Sequence, residues 1–236
     1  MRRLMIVTTA LLASFATAVA ARAQTEPGHC DDGDFIEQAV AGGAEAYRVV
    51  VAGRSYFHGD GEGCPKAAVC QLKSYVIGKN RVLVGKVEKG WACAWFRGTA
   101  DTVGWLRAAD LAKTAAPAEE ITWVGQWSTG DSSDIAITRD PHGGLHAVGD
   151  TVNMHRPSKP SGGFEGTLKT NGASGLYSDF DAAADARFKA QFPGETPPSP
   201  CIIRFRRVDR YLVVSDDSEG LACTGMGATF SGVYAR

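Results

Sequence analysis

Six cysteines, all placed after an export signal, set the strongest limit on what this chain can fold into. Cys30, Cys64, Cys70, Cys93, Cys201 and Cys223 follow "MRRLMIVTTALLASFATAVAARAQ". There Arg2 and Arg3 precede an apolar run from Leu4 to Val19, and Ala21-Arg22-Ala23 forms a cleavage pattern. That order is the layout of a secretory signal. The run is shorter than the roughly 20 apolar residues of a spanning helix. Residues 1–23 are therefore read as a signal peptide cleaved near Ala23. The mature chain is expected to be periplasmic or secreted, with no stable membrane span. An even cysteine count in an exported chain reads as disulfides. Zinc sites want short C-x-x-C pairs with nearby His. The nearest cysteines here, Cys64 and Cys70, have five residues between them and no His close by downstream, so neither a metal nor another cofactor is expected.

From Ser55 the chain turns to short β runs. "RVLVGKV" and "WACAWF" alternate as half-buried strands do, between glycine turns. Before them, "FIEQAVAGGAEAYRVV" has Ile36, Val40 and Ala44 at helical spacing, interrupted by Gly42-Gly43. "KTAAPAEE" has no apolar periodicity and reads as a linker over 114–120. It separates a first domain at 28–113 from a second at 121–236. The second half alternates again: "DIAITRDPHGGLHAVG" is a hairpin pattern, "FEGTLKT" is a strand, and "CIIRFRRVDRYLVVSDD" reads as two strands around Val208-Asp209. "SDFDAAADARFKAQF" is its one short helix, with Ser178 as N-cap. The linker divides the cysteines four and two, so Cys201 is expected to pair with Cys223. Pairing among Cys30, Cys64, Cys70 and Cys93 stays open. The fold class is all-β: a small barrel, then a second small antiparallel barrel or sandwich.

"RSYFHGD", "KSYVIGKNRVLVGKVEKGWACAWF" and "GWLRAADL", taken in order, resemble a bacterial SH3-type domain over Arg54 to Leu111. The shared pattern is an aromatic strand, a long loop, a Gly-Trp strand, and a Gly-aromatic-aliphatic strand with a short 3₁₀ turn. The resemblance implies an SH3-like barrel and a binding role toward cell-wall peptides or envelope proteins. It places Trp91 at the family's groove tryptophan and Tyr56 and Phe57 near its loop aromatics. Arg107 stands where that groove has proline, and Asp110 where it has tyrosine, so two apolar walls are replaced by charged groups. Tyr56, Phe57, Trp91, Trp95 and Arg107 are the candidate ligand-binding residues.

Strand parity puts Trp91, Cys93 and Trp95 on one face and Ala92, Ala94 and Phe96 on the other. The small alanines suit the crowded interior. Two outcomes remain for the indoles. They form a rim that meets a ligand, or the N-terminal segment covers them, with Cys30 or Cys64 bridged to Cys93. Trp105 is assigned to the core.

In the second half, Gly125-Gln126-Trp127 resembles the opening G-x-W of lipocalin-like calycin barrels. That resemblance implies a tryptophan closing the barrel floor against a basic residue of the last strand, a role open to Arg236. It also leaves two interiors open, one filled by side chains and one holding a small ligand.

Catalytic patterns are sparse. His142 and His146 sit in a hairpin turn, not on the helix that H-E-x-x-H requires. Asp216-Asp217 and Asp179/Asp181 read as a turn and a helix start, where acids are ordinary. Arg204 and Arg206 share a strand face and read as a solvated surface. A net charge of -1 over 236 residues lacks the basic footprint of a nucleic-acid binder. The expectation is a non-enzymatic binding or adaptor protein of the cell envelope, with a cell-wall peptide or an envelope protein as partner. Inhibition of a peptidoglycan hydrolase or lysozyme is the second reading, and a small-ligand barrel the third.

Overall fold

The computed structural model describes residues 28–114, 122–130, 132–217, 222–224 and 227–236. The signal segment with its cleavage point, and nearly all of the predicted linker, lie outside the described residues. The fold is all-β, with two α-helices among the described residues. Among the described residues no helix is long and apolar enough to cross a membrane.

The first half opens with helix α1 (Asp32–Val40) and continues as β1 (Glu45–Val49), β2 (Arg54–His58), β3 (Gln71–Ile77), β4 (Arg81–Glu88), β5 (Trp91–Arg97), β6 (Asp101–Arg107) and β7 (Leu111–Lys113). Asp31 caps α1 and accepts from the Asp34 amide, while the Asp34 side chain accepts from the Asp31 amide. This capping box serves amide groups that the first turn leaves without a partner. The helical spacing predicted through Ala44 breaks at the glycines. Gly42 sits at φ +98, a backbone state that other residues adopt at a cost. The chain beyond it becomes β1 instead.

These strands form one antiparallel sheet in the order β3-β2-β6-β5-β4-β1-β7. A 3₁₀ turn at Ala108–Asp110 links β6 to β7. The sheet's interior holds Val49, Phe57, Val76, Val82, Val84, Ala92, Ala94 and Leu106. The alanine face of β5 therefore packs inward, as its small side chains require.

The second half runs β8 (Gly125–Ser128), β9 (Ser133–Arg139), β10 (Leu145–Val152), β11 (Ser161–Asn171), β12 (Ser174–Ser178), α2 (Ala182–Gln191), β13 (Ile202–Val208), β14 (Tyr211–Asp216) and β15 (Gly232–Tyr234). Each strand pairs with its neighbour in sequence. Ser128 and Ala235 exchange backbone hydrogen bonds of 2.8 and 2.9 Å, which joins the two ends of the sheet into a barrel. Its interior is filled by large side chains, including Trp127, Ile135, Ile137, Phe164, Phe205 and Tyr234. The guanidinium carbons of Arg207 and Arg236 each lie 4.5 Å from the centre of the Trp127 ring. Arg236 also donates to the Thr122 and Val124 carbonyls at 2.8 Å. Burial, with Arg236 nearby, pushes the Arg207 pKa down to about 10, which still leaves it charged at neutral pH.

Helix α2 starts later than predicted. Its N-cap is Asp181, whose carboxylate accepts from the Ala183 and Ala184 amides. Ser178 instead accepts from the Phe180 amide. The α2 excursion is closed at its base by Asp179, which accepts from the Cys201 amide at 2.7 Å, and the disulfide Cys201–Cys223 ties that base to the segment after β14. The helix buries none of its residues.

The other disulfides are Cys30–Cys93 and Cys64–Cys70. Three bridges fit an oxidising compartment outside the cytosol. A further hydrophobic cluster joins the two halves. Phe35 and Ala39 of α1, and Trp91, Trp95 and Trp105, pack with Val208, Tyr211, Val213 and Val233 of the second barrel.

Candidate functional site

The tryptophan face of β5 lies in the interior. Trp91 and Trp95 are 5% and 3% exposed, and Trp105 is fully buried. Trp95 meets Tyr211 edge-on at 4.9 Å. The Trp105 indole N–H donates to Asp60 Oδ1 at 2.6 Å, and the other oxygen of that carboxylate accepts from the Cys30 amide at 2.7 Å. The Gly28 amide donates to Glu88 at 2.9 Å, which holds that carboxyl below its usual range. The N-terminal segment is thus stapled across the indoles by a disulfide and these hydrogen bonds.

This corrects part of the predicted site. Phe57, Trp91 and Trp95 are turned away from solvent, because each face of β5 has its own cover. Tyr56 and Arg107 remain accessible. The ring that meets Trp91 is His58, at 4.8 Å, rather than Tyr56. Arg107 lies over the same indole at 5.1 Å. Asp110 accepts from the Ser55 hydroxyl at 2.6 Å, so its charge has a structural use.

His58 is 9% exposed. Burial holds its imidazole below the ordinary value of 6.5; Arg107 acts in the same direction, and the Pro65 carbonyl opposes both. The fold therefore favours neutral His58, and the unfolded chain takes up the proton more readily. This contribution to stability is complete above the ordinary histidine range. It is lost as pH falls through 6.5 and on through the depressed value. Thermal unfolding from about pH 7 to about pH 5 should show a falling midpoint, and His58→Gln should flatten that slope. Parallel profiles would refute the assignment.

The accessible features converge elsewhere on the first sheet. Tyr56 packs on Tyr75 at 5.6 Å, and Arg54 lies 4.3 Å over the Tyr75 ring. Beside them is a cleft of about 690 Å³ between the β1–β2 loop and the β3–β4 turn. Val50, Val51 and Ile77 form its apolar part, and Arg48, Arg54 and Lys79 stand around it. Val50 and Ile77 are 50% and 48% exposed. A second compartment of about 420 Å³ shares Arg48 and Lys79 and adds Arg81 and Lys113. Among the described residues no Asp or Glu lines either one.

The walls are fixed by backbone bonding. The Lys79 amide donates to the Val49 carbonyl, the Val49 amide to Asn80, and the Val50 amide to Asp110, each at 2.9 Å. The Asn80 amide donates to Ile77 across the tight turn at 3.0 Å. Gly78 is required there, since a Cβ would lie 2.7 Å from the Val51 carbonyl oxygen. Arg81 is paired with Asp209 at 3.1 Å and Lys113 with Glu45 at 2.6 Å. Arg48 and Lys79 have no ion-pair partner among the described residues.

Two signals for this site were present in the sequence. One was the lysine following Gly78 in "IGKN"; the other was the recurrence of arginine in "YRVVVAGR" and "KNR". Their meeting depends on long-range pairing, and local pattern reading missed it.

Three other charged groups that the sequence singled out have partners. Arg204 bonds Asp217 through two nitrogens, and Arg206 donates to the Ser174 hydroxyl at 2.8 Å. His146 lies 3.3 Å from Glu165. Among the described residues there is no group of three side chains that could hold a metal ion. No protein-family model, curated protein or solved structure matches this chain.

Proposed function

We propose that the chain is a non-enzymatic binding protein of the cell envelope, and that the cationic, partly apolar cleft of its first sheet holds an anionic cell-wall peptide. The observation that carries this reading is the pair of adjoining compartments that share Arg48 and Lys79 and are lined, among the described residues, by five cations and no acid. A cleft lined by one sign of charge raises the local concentration of opposite charge. Exposed tyrosine and arginine beside an apolar floor are the residue types enriched at recognition surfaces. Cell-wall peptides carry several carboxylates and small aliphatic side chains, which suit both parts of the cleft. The SH3-type resemblance and the export signal agree with an envelope setting. The second barrel then serves as a packed support, since its interior is filled by its own side chains.

Co-sedimentation with purified peptidoglycan tests the reading. Wild-type protein should sediment at low salt and be released as salt rises, because screening shortens the reach of exposed charge. Arg48→Glu/Arg54→Glu should stay in the supernatant with its unfolding midpoint little changed. Retention of that variant on peptidoglycan would overturn the proposal. Inhibition of lysozyme without any sedimentation would replace it with the inhibitor reading.

A further inference from the structure

Two features of the cleft are unfavourable for folding, and both concern its unpaired cations. Lys79 has φ +76 in the turn Ile77–Asn80, whose closing bond runs from the Asn80 amide to the Ile77 carbonyl. A positive φ at this third residue is the signature of a type II turn, a position that glycine or asparagine normally fills. A lysine there carries a backbone cost that glycine would remove. Arg48 lies directly opposite Arg81 in the β1–β4 register. Like charges facing each other across an antiparallel pair are destabilising. Arg81 is relieved by Asp209, whereas Arg48 has no acid partner among the described residues. Departures from local rules that persist in a folded protein concentrate at functional sites.

We infer that Arg48 and Lys79 anchor a free carboxylate, and that the pocket at Val50, Val51 and Ile77 takes the apolar side chain next to it. The inference rests on the binding role proposed above and narrows its ligand to a peptide with an apolar residue beside an unblocked carboxyl group. Geometry supports the division. Arg48 and Lys79 are common to both compartments, with apolar side chains on one side and Arg81 and Lys113 on the other. A ligand lying across that shared ridge meets both chemistries at once. Its carboxylate supplies the counter-charge that the fold withholds from these two cations.

The probe is N-acetyl-Glu-Ala-Leu, offered as the free acid, as the C-terminal amide, and with Leu replaced by Ser. Titration calorimetry with the full mature chain should give at least tenfold weaker binding for the amide and for the serine peptide. Inorganic phosphate at equal ionic strength should compete poorly, since it lacks the apolar group. Lys79→Gly should weaken the free acid at least fivefold while its unfolding midpoint stays level or rises. A merely structural lysine would not separate those two readouts. Equal affinity for acid and amide, or undiminished binding by Lys79→Gly, overturns the inference and leaves peptidoglycan sedimentation intact. Loss of sedimentation by the wild-type protein would instead remove the proposed function itself.

Discussion

Replacing Trp95 with alanine is expected to cost about 3–5 kcal/mol of stability, the range for removing a large buried aromatic side chain. The indole is 3% exposed and packs in the cluster that joins the two halves. Its edge-on contact with Tyr211 at 4.9 Å spans them directly. Such ring pairs add about 0.5–1.5 kcal/mol beyond area burial. A double-mutant cycle with Tyr211→Ala should therefore return a coupling of that order. Chemical denaturation followed by circular dichroism supplies the measurement. Trp95→Phe leaves a smaller cavity and keeps the comparison defined if the alanine variant does not fold. A loss below about 1.5 kcal/mol for Trp95→Ala would mean that the indole packs little in solution. The tryptophan face would then again be open to a ligand.

Removing the Cys30–Cys93 bridge should be nearly as damaging. The two cysteines are 63 residues apart in sequence. In the chain-entropy model, closing a loop of that length contributes about 4 kcal/mol. Cys64–Cys70, separated by 6 residues, contributes about 2 kcal/mol in the same model. Cys30→Ala/Cys93→Ala should thus lower the denaturation midpoint more than Cys64→Ala/Cys70→Ala. The longer bridge also holds the segment that covers Trp91, Trp95 and Trp105. Its removal should raise acrylamide quenching of tryptophan fluorescence before global unfolding, and removal of the shorter bridge should not. Equal midpoints for the two double variants would show that the entropic account fails here and that local packing sets both costs.

Local chemistry made much of this architecture readable in the chain. Alternation with a period of two placed β4, β5 and the β9–β10 hairpin, because a strand turns successive side chains to opposite faces. The same parity sent Ala92 and Ala94 to the interior of the first sheet. It also paired Arg204 with Arg206 on one outward face. The division of cysteines around the linker foresaw Cys201–Cys223. Helix boundaries were less legible. Gly42 ended α1 early, and a second aspartate, Asp181, displaced Ser178 as the cap of α2.

What covers a face is a different kind of question. Parity shows that Trp91 and Trp95 point the same way, but not what lies above them. That cover comes from Phe35 and Ala39 at one end of the chain and from Tyr211 and Val213 near the other. The cleft is equally non-local: Arg48 meets Arg81 only through the β1–β4 register, and Lys79 lines the same cleft as Arg48 through a turn that Gly78 lets close on Val51. The sequence by itself determined strand periodicity, turn positions and a disulfide-bonded β-protein, since these follow from bonds and side chains a few residues apart. Only the tertiary structure decided that the indoles are core and that the unpaired cations share a cleft. Burial and electrostatic field are sums over every group that packs nearby, and most of those groups are distant along the chain.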